Sequence, residues 1–188
     1  MRFHAACALE KILYNNKNAF EFIYSAVSVM VKRYLSLINA FYNEELVMAF
    51  QSIITLFGDS ITPYAADICK HFNEQYLRSI NSEVGRYHGR SYKACIAALI
   101  SMRSILDVIK ENQDQLLEVE PLLHACLMHS LESEDQIKDG IYCITVLAYH
   151  GFKNKPLTDN MWKLYPEIFK SCIIEDLYNE ENNGGYGI

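Results

Sequence analysis

One arrangement of residues returns four times along this chain. A small residue and an apolar one are followed by a gap, a small and a large residue, two gaps, and two large apolar residues. Ala5, Ala6, Ala8, Leu9, Ile12 and Leu13 carry it first, and Ala49, Phe50, Ser52, Ile53, Leu56 and Phe57 carry it next. It returns at Ala98, Leu99, Ser101, Met102, Ile105 and Leu106, then at Gly140, Ile141, Cys143, Ile144, Leu147 and Ala148. Successive copies are offset by 44, 49 and 42 residues. Spacings of three and four put the six positions on one side of a helix. The small residues let a neighbouring helix approach closely, and the large ones fill the next turns of the same face.

Between copies lies room for one more long helix, so each copy reads as the second helix of a pair. Pairs repeated every 42 to 49 residues stack side by side and bury a core that no single pair can make. Periods of about 40–47 residues are those of HEAT and armadillo units. The expected fold is therefore all-α, an α-α superhelix of the HEAT/armadillo-like solenoid type with about four stacked helix pairs. The alternative is an ordinary helical bundle whose amphipathic helices match the template by chance. Composition favours helices: eight glycines and four prolines are too few for many short strands and tight turns.

The spacing predicts helices over 2–14, 19–41, 44–57, 62–80, 92–111, 114–131, 134–150 and 159–178. Asn18 with Glu21 and Ser133 with Gln136 have the spacing of capping boxes. Thr62 before Pro63 fits an N-cap and first helical position. Gly58 and Gly151 stand where a left-handed C-cap residue is wanted. The polar stretch Asn81 to Ser91 is the one long connection expected. Residues 1–180 read as a single block of repeats from a longer protein, because helix-like sequence begins at Arg2, and 181–188 read as a frayed tail.

Cysteines at 7, 69, 95, 126, 143 and 172 form no C-x-x-C pair and fall inside apolar helical stretches. They are expected to be reduced packing residues, which suits the cytoplasm or nucleus. The richest apolar stretch, Ile23 to Ile38, is interrupted by Lys32 and Arg33, so no membrane span is expected. Residues 1–110 carry 12 Lys/Arg against 9 Asp/Glu, whereas 111–188 carry 5 against 14. That acidic half speaks against nucleic acid as a direct partner and suits a basic one.

The segments SITPYAADICKHFNEQYLRSI (60–80) and NMWKLYPEIFKSCI (160–173) resemble the importin-beta superfamily of nuclear transport receptors, closest to its importin seven/eight branch. Thr62 and Pro63 match a T-P start of a first helix. Met161, Trp162, Leu164, Pro166 and Phe169 match an M-W-x-L-x-P-x-x-F pattern, and RFHAACALEKIL resembles the alanine-rich second helix of the preceding repeat. The resemblance spans about 2–178 in order. It implies a central repeat block of an import receptor that binds protein cargo for passage through the nuclear pore. It also implies the small GTPase Ran, contacted through other parts of such a receptor, and nucleoporins as partners. Two departures stand out. Nothing matches the Ran-binding N-terminal end of the family, and 81–91 leans basic where an acidic insertion is expected. The alternative is a HEAT-repeat scaffold or adaptor outside nuclear transport, since fold alone does not fix function.

No catalytic set emerges. His124 and His129 are five apart and do not share a helix face. The chain has no H-E-x-x-H, no P-loop, no dinucleotide-binding glycine pattern and no G-x-S-x-G, so neither an enzyme, nor a metal, nor a cofactor is expected. EDLYNEE at 175–181 matches no cation loop and reads as a solvated helix end. Trp162, Tyr165 and Phe169 at three and four spacing read as core, with a docking groove for a Phe-rich pore repeat as the alternative on a receptor of the type resembled. The stretch Glu111 to Asp139 carries eight carboxylates against Lys138 alone. Asp114, Glu134 and Asp135 suit helix N-termini, but the lack of balancing lysines is not explained by that. The stretch reads first as an ordinary solvated face; read instead as a partner surface, it makes Glu118, Glu120, Glu132, Glu134, Asp135 and Asp139 the candidate cargo surface, a field that would steer a basic partner.

Overall fold

The computed structural model describes the backbone of residues 2–40, 43–81 and 90–183, and the side chains of these residues up to Ser171 other than 2, 17, 20, 44 and 90–92. The helices are α1 (Arg2–Asn15), α2 (Lys17–Tyr24), α3 (Val27–Ala40), α4 (Glu44–Phe57), α5 (Ala65–Asn81), α6 (Arg90–Ile109), α7 (Gln113–Ser130), α8 (Ile137–Val146) and α9 (Asp159–Asn183). Two 3-10 turns, Gly58–Ser60 and Thr62–Tyr64, join α4 to α5, and a π-helical turn, Leu147–Gly151, prolongs α8. No strand occurs among the described residues.

The contacts between helices sort them into two layers. In the first layer α3 packs on α5, α5 on α7 and α7 on α9; in the second, α1 packs on α4, α4 on α6 and α6 on α8. Chain neighbours α3–α4, α5–α6 and α7–α8 pair across the layers. The four copies of the sequence template lie on α1, α4, α6 and α8, one helix per copy in the second layer, each beside the next. The chain is an all-α solenoid of stacked helix pairs, as the period predicts.

One core runs between the layers from Ala6 to Leu164. Tyr34, Phe50 and Phe72 stack through its first half at centroid distances of 5.2 and 6.1 Å. The Tyr34 hydroxyl donates to the carbonyl of Ala6 at 2.6 Å, tying α3 to α1. Fully buried Leu, Ile and Phe side chains each contribute about 1.5–3 kcal/mol, so a core spread over every pair holds the stack together. Cys69, Cys95, Cys126 and Cys143 are buried and free, as packing residues are expected to be. Burial pushes their thiols up, Cys95 to about 11. No single helix among the described residues is long and apolar enough to cross a membrane.

Several boundaries differ from the sequence expectation. The predicted helix over 19–41 is two helices, broken at Ser25–Ala26, where the Ser25 hydroxyl turns back to the Phe22 carbonyl at 3.4 Å. Asn16, not Asn18, caps α2: its side chain accepts from the amides of Asn18 and Ala19. Ser133 and Gln136 form no capping box. The Ser133 carbonyl takes the amides of Gln136 and Ile137, and the Gln136 side chain is drawn inward. Thr62 and Pro63 open a 3-10 turn that leads into α5 three residues later. Gly58 does take a positive φ of 39°, and its amide caps Ile54. Gly151 does not, and a Cβ there would meet Leu116 at an ordinary contact distance of 3.4 Å, so neither backbone conformation nor space demands this glycine. The connection around 82–89 lies outside the described residues.

Candidate partner surface

The acidic stretch divides into two groups when folded. The chain leaves α7 at Ser130 and turns through Leu131–Gln136 into α8. At this turn Glu132, Glu134 and Asp135 are exposed, while Leu131 and Gln136 are buried. Polar residues point out because the turn's apolar members anchor it. Leu131 joins the core, and its carbonyl accepts from the Ser171 hydroxyl of α9 at 2.7 Å. The result is a groove of about 340 Å³ between the turn and α9, with Leu131 and Ile137 beside Glu132, Glu134 and Glu167. Among the described residues Lys170, 3.5 Å from Glu167, is the one basic group on its wall.

Glu118 is exposed on α7, away from this groove. Glu120 is a correction to the expected surface. It is buried and accepts from the Thr158 hydroxyl at 3.1 Å, and the same hydroxyl takes the Met161 amide at 3.2 Å. Glu120 thus secures the start of α9. Asp139 is engaged as well. Arg103 of α6 donates to it at 2.7 Å and lies 4.1 Å over the ring of Tyr142, whose hydroxyl donates to Asp107. The bond to Asp139 raises the guanidinium pKa further. Asp139 therefore acts between α6 and α8, and a partner would meet it only by competing with Arg103.

The described histidines and cysteines with a shifted proton affinity are moved away from activation. His129 lies against Tyr76: that hydroxyl donates its one proton to Gln136 at 2.5 Å, so His129 Nδ1 is the donor in the 2.9 Å contact. His71 is pushed down, chiefly by burial, and so is held neutral. A second groove, about 500 Å³, lies between α1 and α4 and includes His4, Cys7, Glu10 and Glu45. Burial first, then Glu45, raises the Cys7 thiol, the reverse of what a nucleophilic thiolate needs. Among the described residues no three His, Cys, Asp or Glu side chains converge on a point where a metal could sit.

Trp162, Tyr165 and Phe169 are a second correction. They were expected in the core, yet they are 56, 51 and 58% exposed. They form a stripe along α9 with ring centroids 5.6 and 6.2 Å apart. The helix buries the adjacent face instead, with Met161 and Leu164 against the core. Sequence reasoning missed Glu167 and Lys170 as groove residues, and it missed the structural role of Glu120. Thr158 lies 38 residues from Glu120, and no local pattern announces a bond across that distance.

Curated proteins similar to this chain include two importin homologs. A probable importin-7 homolog of Dictyostelium discoideum is 28% identical over 151 residues, 78% of this chain. An importin beta-like SAD2 homolog of Arabidopsis thaliana is 20% identical over 147 residues, 77% of this chain. In both cases the match covers 14% of the relative, so the chain spans about one seventh of the length of the proteins it matches. No family model matches the chain, and no solved structure does. The two relatives bear out the resemblance to the importin-beta superfamily that the motifs at 60–80 and 160–173 carry.

Proposed function

We propose that this importin-beta-type stretch of repeats binds protein cargo as part of a nuclear import receptor, working between cytoplasm and nucleus. The contact assigned to it is the groove at the α7–α8 turn. The observation that carries the reading is the grouping of exposed Glu132 and Glu134, with Glu167, around the apolar Leu131 and Ile137. A lysine or arginine fits such a place twice over. Its methylene stem lies on apolar surface while its charged head meets carboxylates. The mechanism is stoichiometric binding, with acidic potential raising the rate of encounter and apolar contact slowing release. Asp135 and Glu118 add to the field without lining the groove. Ran, a partner implied by the resemblance, is assigned to other parts of such a receptor, and nucleoporins are further partners that the resemblance implies.

The test is binding of a synthetic lysine- and arginine-rich peptide at two ionic strengths. Exposed charges are screened beyond about 10 Å at 0.1 M salt, so affinity should fall steeply as salt rises. Replacing Glu132→Gln, Glu134→Gln and Asp135→Asn together should weaken binding about tenfold, mostly through slower association. Thermal stability should barely move, because exposed ion pairs contribute only about 0–1 kcal/mol each. Equal affinity in the neutralised variant and the parent chain would return the turn to an ordinary solvated surface.

A further inference from the structure

The groove at the α7–α8 turn already holds one cation, and the chain itself supplies it. Lys170 Nζ lies 3.5 Å from a Glu167 carboxylate oxygen, and both side chains line the groove beside Glu132 and Glu134. The pair is local, three residues apart on α9, with the carboxylate on the N-terminal side, which is the favourable order. Its place follows from the repeat. A shift of 45 residues lays α7 on α9 in sequence: Pro121 falls on Pro166, and buried Leu116 and Val119 fall on buried Met161 and Leu164. In that register Ala125 corresponds to Lys170 and Leu122 to Glu167. Ala125 is exposed and Leu122 half-buried, although α7 packs on α5 on one side and α9 on the other. Lys170 therefore stands where neighbours on both sides leave this kind of helix open.

Two features make this ion pair replaceable. Its 3.5 Å separation is longer than the about 2.7–2.9 Å of a charge-assisted hydrogen bond. The Lys170 side chain is also 67% exposed and that of Glu167 30%, so water competes for the ammonium and the pair adds little to stability. Arg103 shows the opposite case. It donates to Asp139 at 2.7 Å, bridges α6 to α8 and lies on the Tyr142 ring, so a partner would have to break several contacts at once. Glu167 loses one loose neighbour and gains an equivalent one when another ammonium or guanidinium arrives. Two cations crowded at one carboxylate repel each other. The incoming one must turn Lys170 out to water, which its long stem allows.

We propose that Lys170 is a built-in competitor of this groove: in the free chain it fills the cation position at Glu167, and a basic segment of the partner binds by displacing it. The inference rests on the reading of the groove as a site for lysine and arginine, and it adds a control on that site. With Lys170 in place the lining carries three carboxylates and one ammonium. With its charge removed, the carboxylates of Glu132, Glu134 and Glu167 face the partner alone. Lys170 thus holds affinity below what the carboxylates by themselves would give. That suits a carrier, which must release what it binds.

The test is the affinity of a labelled lysine- and arginine-rich peptide for the chain and three variants, read by fluorescence anisotropy at about 0.1 M salt. Lys170→Met keeps the unbranched stem and removes the charge, and Lys170→Arg keeps the charge. Lys163→Met is the control: Lys163 is exposed on the same helix, outside the groove, about 10 Å along the axis and so at the edge of screening. Lys170→Met should bind about two- to fivefold tighter, the range of one exposed charge pair. Lys170→Arg and Lys163→Met should stay close to the parent, and all four chains should unfold at the same temperature. A Lys170→Met chain that binds no tighter overturns the proposal, as does an equal gain in Lys163→Met, which would be an effect of net charge alone. In either case the cargo reading stands if neutralising Glu132, Glu134 and Asp135 still weakens binding. A peptide that binds neither the parent nor Lys170→Met overturns both.

Discussion

Tyr76 holds three elements at one atom. Its hydroxyl, on α5, donates to Gln136 in the α7–α8 turn and accepts from His129 on α7. Tyr76 and Gln136 are buried, and burial is the main reason the phenol is pushed up, so it stays a proton donor at any physiological pH. Tyr76→Phe keeps the ring's packing and removes the bonds, leaving the Gln136 side chain buried without a donor. The expected loss is about 1–3 kcal/mol, read from urea unfolding. Unchanged stability would mean that Gln136 finds another partner. The partners of Tyr76 are not announced by the sequence, being 53 and 60 residues away. The same limit hid the bond from Thr158 to Glu120. Net charge of a segment is readable in one dimension, whereas the side to which each carboxylate points depends on which helix arrives beside it.

Among the elements, α8 displays the logic of the template most directly. Its small first position, Gly140, lies where Ser130 of α7 leaves no room for a Cβ. Gly140→Ala should therefore cost about 1–3 kcal/mol by forcing the two helices apart, although alanine is the better helix former by about 1 kcal/mol. Combining it with Ser130→Gly should restore most of the loss in thermal unfolding. A lone Gly140→Ala that stabilises the chain would show that the close approach is not strict. Helix identity and pairing were legible because the small-and-large pattern is a property of helix faces that repeats with the fold. The break at Ser25–Ala26 carries no proline or glycine to announce it. The aromatic stripe of α9 misled because an apolar face at three and four spacing specifies a helix that expects cover, not whether that cover is present.

At the scale of the whole molecule the stack is close to one-dimensional: apart from local turns, each helix touches its pair partner and the pairs before and after it. Stability is then a sum over pairs and the interfaces between them, and an element with a neighbour on each side is held more firmly than one at an end. The middle elements α5, α6 and α7 have neighbours on both sides in their own layer and a partner across it. Among the stronger contacts α1 packs on α4 and α2, with one hydrogen bond from Tyr34 of α3, and α9 packs on α7. Opening should therefore begin at the ends and reach the centre last. Native-state hydrogen exchange should find the slowest amides in α5 and α6, at the free energy of global unfolding. Those of α1, α2 and α9 should open by a lower-energy local route. Uniform protection along the chain would mean that the core folds as one indivisible unit despite its repeated architecture.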